Sequence, residues 1–249
     1  MIRKIGNCIA ATTMALTTAV AEGQPAAAAH DTAPPAKETR LALSARQAAI
    51  PPIGAWLAIG DVPRLKEALV RGLEAGLTVA EIKEILVQLY AYAGFPRSLN
   101  GLAAFMEVLK DRQAHGRQDV AGAEPGPLPA PDLMREAGTA NQTKLVGRPA
   151  TSPIYDFAPA VDDYLKTHLF GAIFARDNLD WQSRELATLG ALASPPGLES
   201  QLQSHMGISL NVGLTHEQLE ETAAVLASQV APDVGTRARS ALSRAAANR

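Results

Sequence analysis

The residues best suited to proton-transfer chemistry are Glu185, Glu199 and His205. An imidazole with a reference pKa of about 6.5 takes or gives a proton at neutral pH, which makes His205 the leading candidate for a proton donor. The competing role for His205 is a partly buried histidine satisfied by a helix-end carbonyl. Glu185, beside Leu186 and Leu189, reads either as a carboxylate that orients His205 or shuttles its proton, or as an ion-pair partner of Arg184. Glu199 lies six residues before His205, too far for one helical turn, and suits a helix cap as well as a ligand group. In the first half of the chain, Tyr90, Tyr92 and Asn100 offer hydrogen bonds to a substrate carboxylate or carbonyl, and Arg97 offers two parallel donors to a carboxylate. Tyr90 and Tyr92 are two apart on a helix and point in different directions, so at least one is expected to pack. His168 falls on an apolar stripe and reads as a core histidine. No HxH, HxxxH or HExxH spacing suggests a metal, and neither a Gly-rich phosphate loop nor a GxSxG elbow occurs.

The elements that must hold these groups are helices. Leu65, Ala68, Leu69, Gly72 and Leu73 follow i, i+3, i+4 spacing, as do Ile82, Ile85, Leu86 and Leu89, then Leu99, Leu102, Ala103, Met106 and Leu109. The habit returns in Val161, Tyr164, Leu165, His168, Leu169 and Ala172, and again in Leu186, Leu189 and Ala193. No run alternates long enough for a strand, so the fold class is all-α. Of the 17 prolines, 13 fall in two stretches, Pro25 to Pro63 and Pro125 to Pro159. The run Glu124 to Pro131 cannot continue a helix and should be an extended spacer.

Two echoes suggest a tandem repeat. Gly76-Leu77-Thr78-Val79-Ala80-Glu81 parallels Gly213-Leu214-Thr215-His216-Glu217-Gln218, each a glycine helix stop followed by a capping box. Upstream, Leu41, Ser44, Arg46 and Gln47 parallel Leu179, Gln182, Arg184 and Glu185. The expected organisation is a signal peptide over 1–21, a flexible Ala/Pro leader over 22–40, a first repeat over 41–112, a Pro-rich linker over 113–150 and a second repeat over 151–249.

The signal peptide rests on basic Arg3 and Lys4, a short apolar run from Cys8 to Val20, and Ala19-Val20-Ala21 before a cut at Glu22. Cleavage there leaves 21 basic against 25 acidic residues and no cysteine, which suits a periplasmic or secreted protein. With 249 residues, 47% apolar and a net charge of -2, the chain can bury a substantial core but has no basic footprint for nucleic acid. The single Cys8 excludes disulfide frameworks, Cys-ligated zinc and CxxC redox chemistry within one chain. No membrane association is expected after cleavage.

The strings Arg184 to Ala193, Glu199 to His205 and Leu210 to Thr215, together with Glu81 to Pro96 and Arg97 to Asn100, resemble the carboxymuconolactone decarboxylase family. That resemblance implies an alkyl hydroperoxidase D-like helical fold. Peroxidase-like members carry a CxxC pair before the histidine, and the corresponding positions here are Leu198 and Gln201. Without a thiolate there is no peroxide nucleophile, so the resemblance is to the cysteine-free branch, which needs neither metal nor organic cofactor. The first segment keeps Tyr90 to Asn100 and lacks the histidine, whereas the second keeps Glu185, Glu199 and His205. One composite site per chain is therefore expected, with a small carboxylated or lactone molecule as substrate. The alternatives are a cofactor-free isomerase or hydrolase on the same site, or a non-catalytic helical binding or assembly protein. Family members form rings of six motif copies, so a chain with two copies is expected to be a homotrimer.

Overall fold

The computed structural model describes residues 42–247; the expected signal peptide and leader lie outside the described residues. Four helices come first: α1 (Ala45–Ile59), α2 (Val62–Glu74), α3 (Val79–Gln88) and the short α4 (Tyr90–Ala93), followed by the long α5 (Phe95–Ala114). After an extended stretch come α6 (Met134–Val146), α7 (Pro153–Phe157), α8 (Pro159–Tyr164) and a π-helix (Leu165–Ile173). The chain ends with α9 (Trp181–Ala193), α10 (Glu199–Asn211), α11 (His216–Gln229) and α12 (Pro232–Ala247). No strand occurs among the described residues, and the fold is all-α, as the spacing of apolar residues predicts.

Caps written in the sequence start the main helices. Ser44 and Gln47 form a capping box on α1, Thr78 and Glu81 on α3, and Thr215 and Gln218 on α11. Gly76 and Gly213 take φ of 91° and 96° just before the last two, a region that side chains with a Cβ avoid. The linker adds a further cap. The carbonyls of Val120 and Ala121 accept from Val79 and Ala80 N–H at 2.9 and 2.8 Å, filling two free donors at the start of α3.

The centre of the core is the crossing of α1 and α9. A Cβ on Gly54 would lie 2.2 Å from the Ala187 carbonyl oxygen, and one on Gly190 would lie 2.0 Å from that of Pro51. The contacts are reciprocal, as across a local two-fold axis. Ser44 caps α1 and Asp180 caps α9. Counted from these caps, the counterpart of Arg184 is Ala48 rather than Arg46, so the upstream echo in the sequence is two residues out of register. The two arginines also do different work: Arg46 reaches the Gly76 carbonyl and Glu81 on the surface, whereas Arg184 is fully buried.

Three expectations need correction. Pro51 and Pro52, within the first proline-rich stretch where a helix is not expected, lie inside α1 and are buried against α9. The 113–150 linker contains α6, whose polar sequence gives little apolar periodicity but which clamps the π-helix. A Cβ on Gly138 would sit on the Lys166 carbonyl, and Asn141 Nδ2 donates to the Phe170 carbonyl at 2.9 Å. The stripe from Val161 to Ala172 is not a buried α-helical face. Its last part is π-helical, with Phe174 N–H bonded to the Leu169 carbonyl at 3.0 Å, and Val161, Tyr164 and His168 are exposed. The wider turn moves burial to Leu169, Phe170, Gly171 and Ile173.

Candidate active site

Helices α9 and α10 run as an antiparallel pair joined by a short turn, and this places Glu185 opposite His205. His205 Nδ1 lies 2.8 Å from Glu185 Oε2. Glu185 is fully buried, whereas the imidazole keeps 13% of its side-chain surface. The carboxylate accepts from Nδ1–H, which fixes the tautomer and leaves Nε2 as the nitrogen available for exchange. Glu185 Oε1 has no hydrogen-bond partner among the described residues.

The third member comes from the other half of the chain. Tyr92 on α4 meets the His205 ring edge-on, with centroids 5.4 Å apart and planes at 80°. Its buried hydroxyl makes no hydrogen bond of normal geometry among the described residues, with the Thr188 hydroxyl near it. Burial, reinforced by the Glu185 carboxylate, holds that hydroxyl well above an ordinary phenol, while Thr188 and Arg184 pull the other way. Tyr92 therefore remains a neutral donor at any physiological pH. Two unpartnered buried oxygens beside an imidazole are costly in a static core and inexpensive where a ligand supplies the missing bonds.

A buried polar network supports this group from behind. Arg184 donates to Gln88 Oε1 at 2.9 Å, to Glu84 Oε1 at 3.0 Å and to the Arg176 carbonyl at 2.7 Å. Burial lowers its pKa and the Glu84 carboxylate opposes that shift. Arg176 Nε holds both oxygens of Glu84 at 2.9 Å. Gln88 Nε2 in turn donates to the Arg184 carbonyl at 3.0 Å and to Thr188 Oγ1 at 2.9 Å. This ties α3 to α9 at Arg184 and Thr188, which flank Glu185. The signal was present in the sequence as Glu84 and Gln88, four apart on the same helix face as apolar residues, matched by Arg184 and Thr188.

The remaining candidates lie elsewhere. Tyr90 stacks on Phe95 at 4.2 Å and 11°, with the His168 ring 5.4 Å away, so it faces a different side from Tyr92. Arg97 is exposed, with its guanidinium against Gly60 at the end of α1, and Asn100 is exposed on α5. Glu199 is exposed at the start of α10, where it accepts from Gly197 N–H at 3.1 Å. Backbone hydrogen bonds at this helix start hold its carboxyl below the usual range, the behaviour of a cap. No group of three or more His, Cys, Asp or Glu is arranged to hold a metal among the described residues.

The Glu185–His205 pair lies within a stretch that matches a known family model. Residues 159–247 match the carboxymuconolactone decarboxylase family. The matched stretch contains Glu185 and His205, together with α9 to α12, and the all-α architecture agrees with that family's alkyl hydroperoxidase D-like fold. Tyr92, Glu84 and Gln88 lie outside the match, on the helices that pack against this carboxymuconolactone decarboxylase segment. No curated protein matches the chain.

Proposed function

We propose that this chain is an exported, cofactor-independent lyase of the carboxymuconolactone decarboxylase type, acting on a small carboxylated or lactone substrate. The observation that carries the reading is the 2.8 Å contact between Glu185 and His205 Nδ1, which leaves Nε2 free of the carboxylate on a side chain that keeps some exposure. In the reaction the bond between the substrate carbon and its carboxylate breaks, and the electron pair stays behind as a dienolate. The Nε2 proton of His205 then moves to that carbon, and Glu185 stabilises the imidazolium before transfer. The Tyr92 hydroxyl donates to the oxygen on which negative charge gathers. An isomerase would instead form an enolate by removing a proton from the intact substrate and returning it to another carbon with the same groups, so the product distinguishes the two. The test is CO2 release and absorbance change by the full chain across a panel of lactone acids. CO2 release with at least one of them supports a lyase, and a product of unchanged mass would assign an isomerase instead.

The tandem repeat belongs to the same proposal. The caps at Ser44 and Asp180, the matching Thr78 and Thr215 boxes, and the reciprocal Gly54 and Gly190 contacts support it. A homotrimer is proposed on two apolar faces left exposed among the described residues: Ile154, Phe157, Val161 and Tyr164 along α7 and α8, and Phe95, Leu99 and Met106 on α5. Three protomers with two motif copies each would complete a six-motif ring.

A further inference from the structure

A second cleft opens at the far end of the α9–α10 pair. It encloses about 390 Å³ and is lined by Lys144, Asp180, Trp181, Gln182, Asn211 and Val212. That volume is in the range of small-molecule sites. Its walls are tied in place: Gln182 Nε2 donates to the Val212 carbonyl at 3.1 Å, and the Trp181 indole N–H donates to the Phe174 carbonyl at 3.1 Å. The Lys144 ammonium lies 4.9 Å from the centre of the Trp181 ring and has no acidic partner among the described residues. Asp180 contributes an opposite charge to the same cleft; its oxygens accept from Ser183 N–H and hydroxyl at 2.8 and 3.1 Å.

Each wall constrains the ligand. The indole and Val212 favour a flat apolar body. The exposed ammonium beside the ring favours a carboxylate, a stronger partner than the aromatic face alone. The Asp180 carboxylate, which still has unused acceptor positions, favours a hydroxyl or amino donor on the opposite edge. Trp181 is one helical turn before Glu185, and Asn211 lies more than one turn beyond His205, so no lining residue belongs to the proton-transfer group.

We infer that this cleft is a separate binding site for a small aromatic carboxylate bearing a hydroxyl or amino donor, held by Lys144 and Asp180 on the face of Trp181. The inference does not depend on the lyase reading. Isothermal titration of the full chain with 4-hydroxybenzoate, benzoate and phenol tests it. One equivalent of 4-hydroxybenzoate should bind, more tightly than either of the other two. Lys144→Gln, an exposed change, should weaken it about tenfold. Asp180→Asn, which still caps α9, should erase the preference over benzoate. His205→Ala should leave binding as in the wild type. The site is overturned if 4-hydroxybenzoate does not bind, or if Lys144→Gln binds it as well as the wild type. Loss of binding in His205→Ala would also overturn it, placing the acid at the proton-transfer pair.

Discussion

One chemical change should act in opposite directions at two glycines, Gly190 at the α1–α9 crossing and Gly207 on α10. Gly190→Ala puts a methyl 2.0 Å from the Pro51 carbonyl oxygen, about 1 Å inside the closest approach a Cβ tolerates. The neighbour is backbone in the buried middle of α1, so neither α1 nor α9 can yield by turning a side chain. Overpacking of this kind costs about 1–3 kcal/mol or more. Alanine in place of glycine in a helix returns up to about 1 kcal/mol, leaving a net loss of roughly 1–2 kcal/mol. For a domain of this size that lowers Tm by roughly 2–8 °C. Gly207, on α10, has nothing within 4 Å of an added Cβ. There the same substitution keeps only the propensity gain and should raise Tm by roughly 2–4 °C. Thermal melts followed by circular dichroism read both. A Gly190→Ala protein that melts at or above the wild-type temperature refutes the close crossing.

Further outcomes follow from the same structure. Arg184→Ala strips a buried partner from Glu84 and Gln88 and should cost about 3–5 kcal/mol in urea unfolding; a loss below 1 kcal/mol would mean the network is hydrated. The Lys166 ammonium, aided by Arg135, holds the Asp162 carboxyl below the usual range, so this contribution is complete above about pH 4 and is lost as pH falls through the lowered value. Asp162→Asn should therefore be less stable than wild type at neutral pH, and the gap should close in acid; a gap independent of pH would remove the ion pair from the account. With Leu198 and Gln201 in place of a CxxC pair, the chelated protein should not turn over peroxide in a thiol assay. Light scattering should give a trimeric mass, and mass spectrometry of the exported protein a chain beginning at Glu22; a monomer, or an intact Met1 in the cytosol, would refute these two.

Much of the helical frame is legible in the sequence because caps and apolar stripes are local. Thr78 with Glu81 and Thr215 with Gln218 announce their helices without tertiary help. The α1 helix is hidden because Pro51 and Pro52 would break it in isolation, and only burial against α9 holds it together. The π-helix is hidden for a related reason: its wider turn depends on α6, where Gly138 and Asn141 meet the carbonyls of Lys166 and Phe170. At the site, His205 and Glu185 stand out by residue type, but their 2.8 Å contact needs the α9–α10 turn. Tyr92 could not be told from Tyr90 by spacing alone. Arg97, Asn100 and Glu199 have suitable chemistry but occupy exposed positions, and exposure is a property of the packed fold.

The most direct test of the proton-transfer pair compares turnover of one accepted lactone acid by wild type, His205→Ala and Glu185→Gln, each first shown to be folded. Loss of a positioned proton donor costs about 10²- to 10⁴-fold in rate. The account predicts a loss of that size in kcat for His205→Ala. It predicts a smaller loss for Glu185→Gln, which keeps an acceptor for Nδ1–H but not the charge. Turnover at the wild-type rate by folded His205→Ala protein would contradict it.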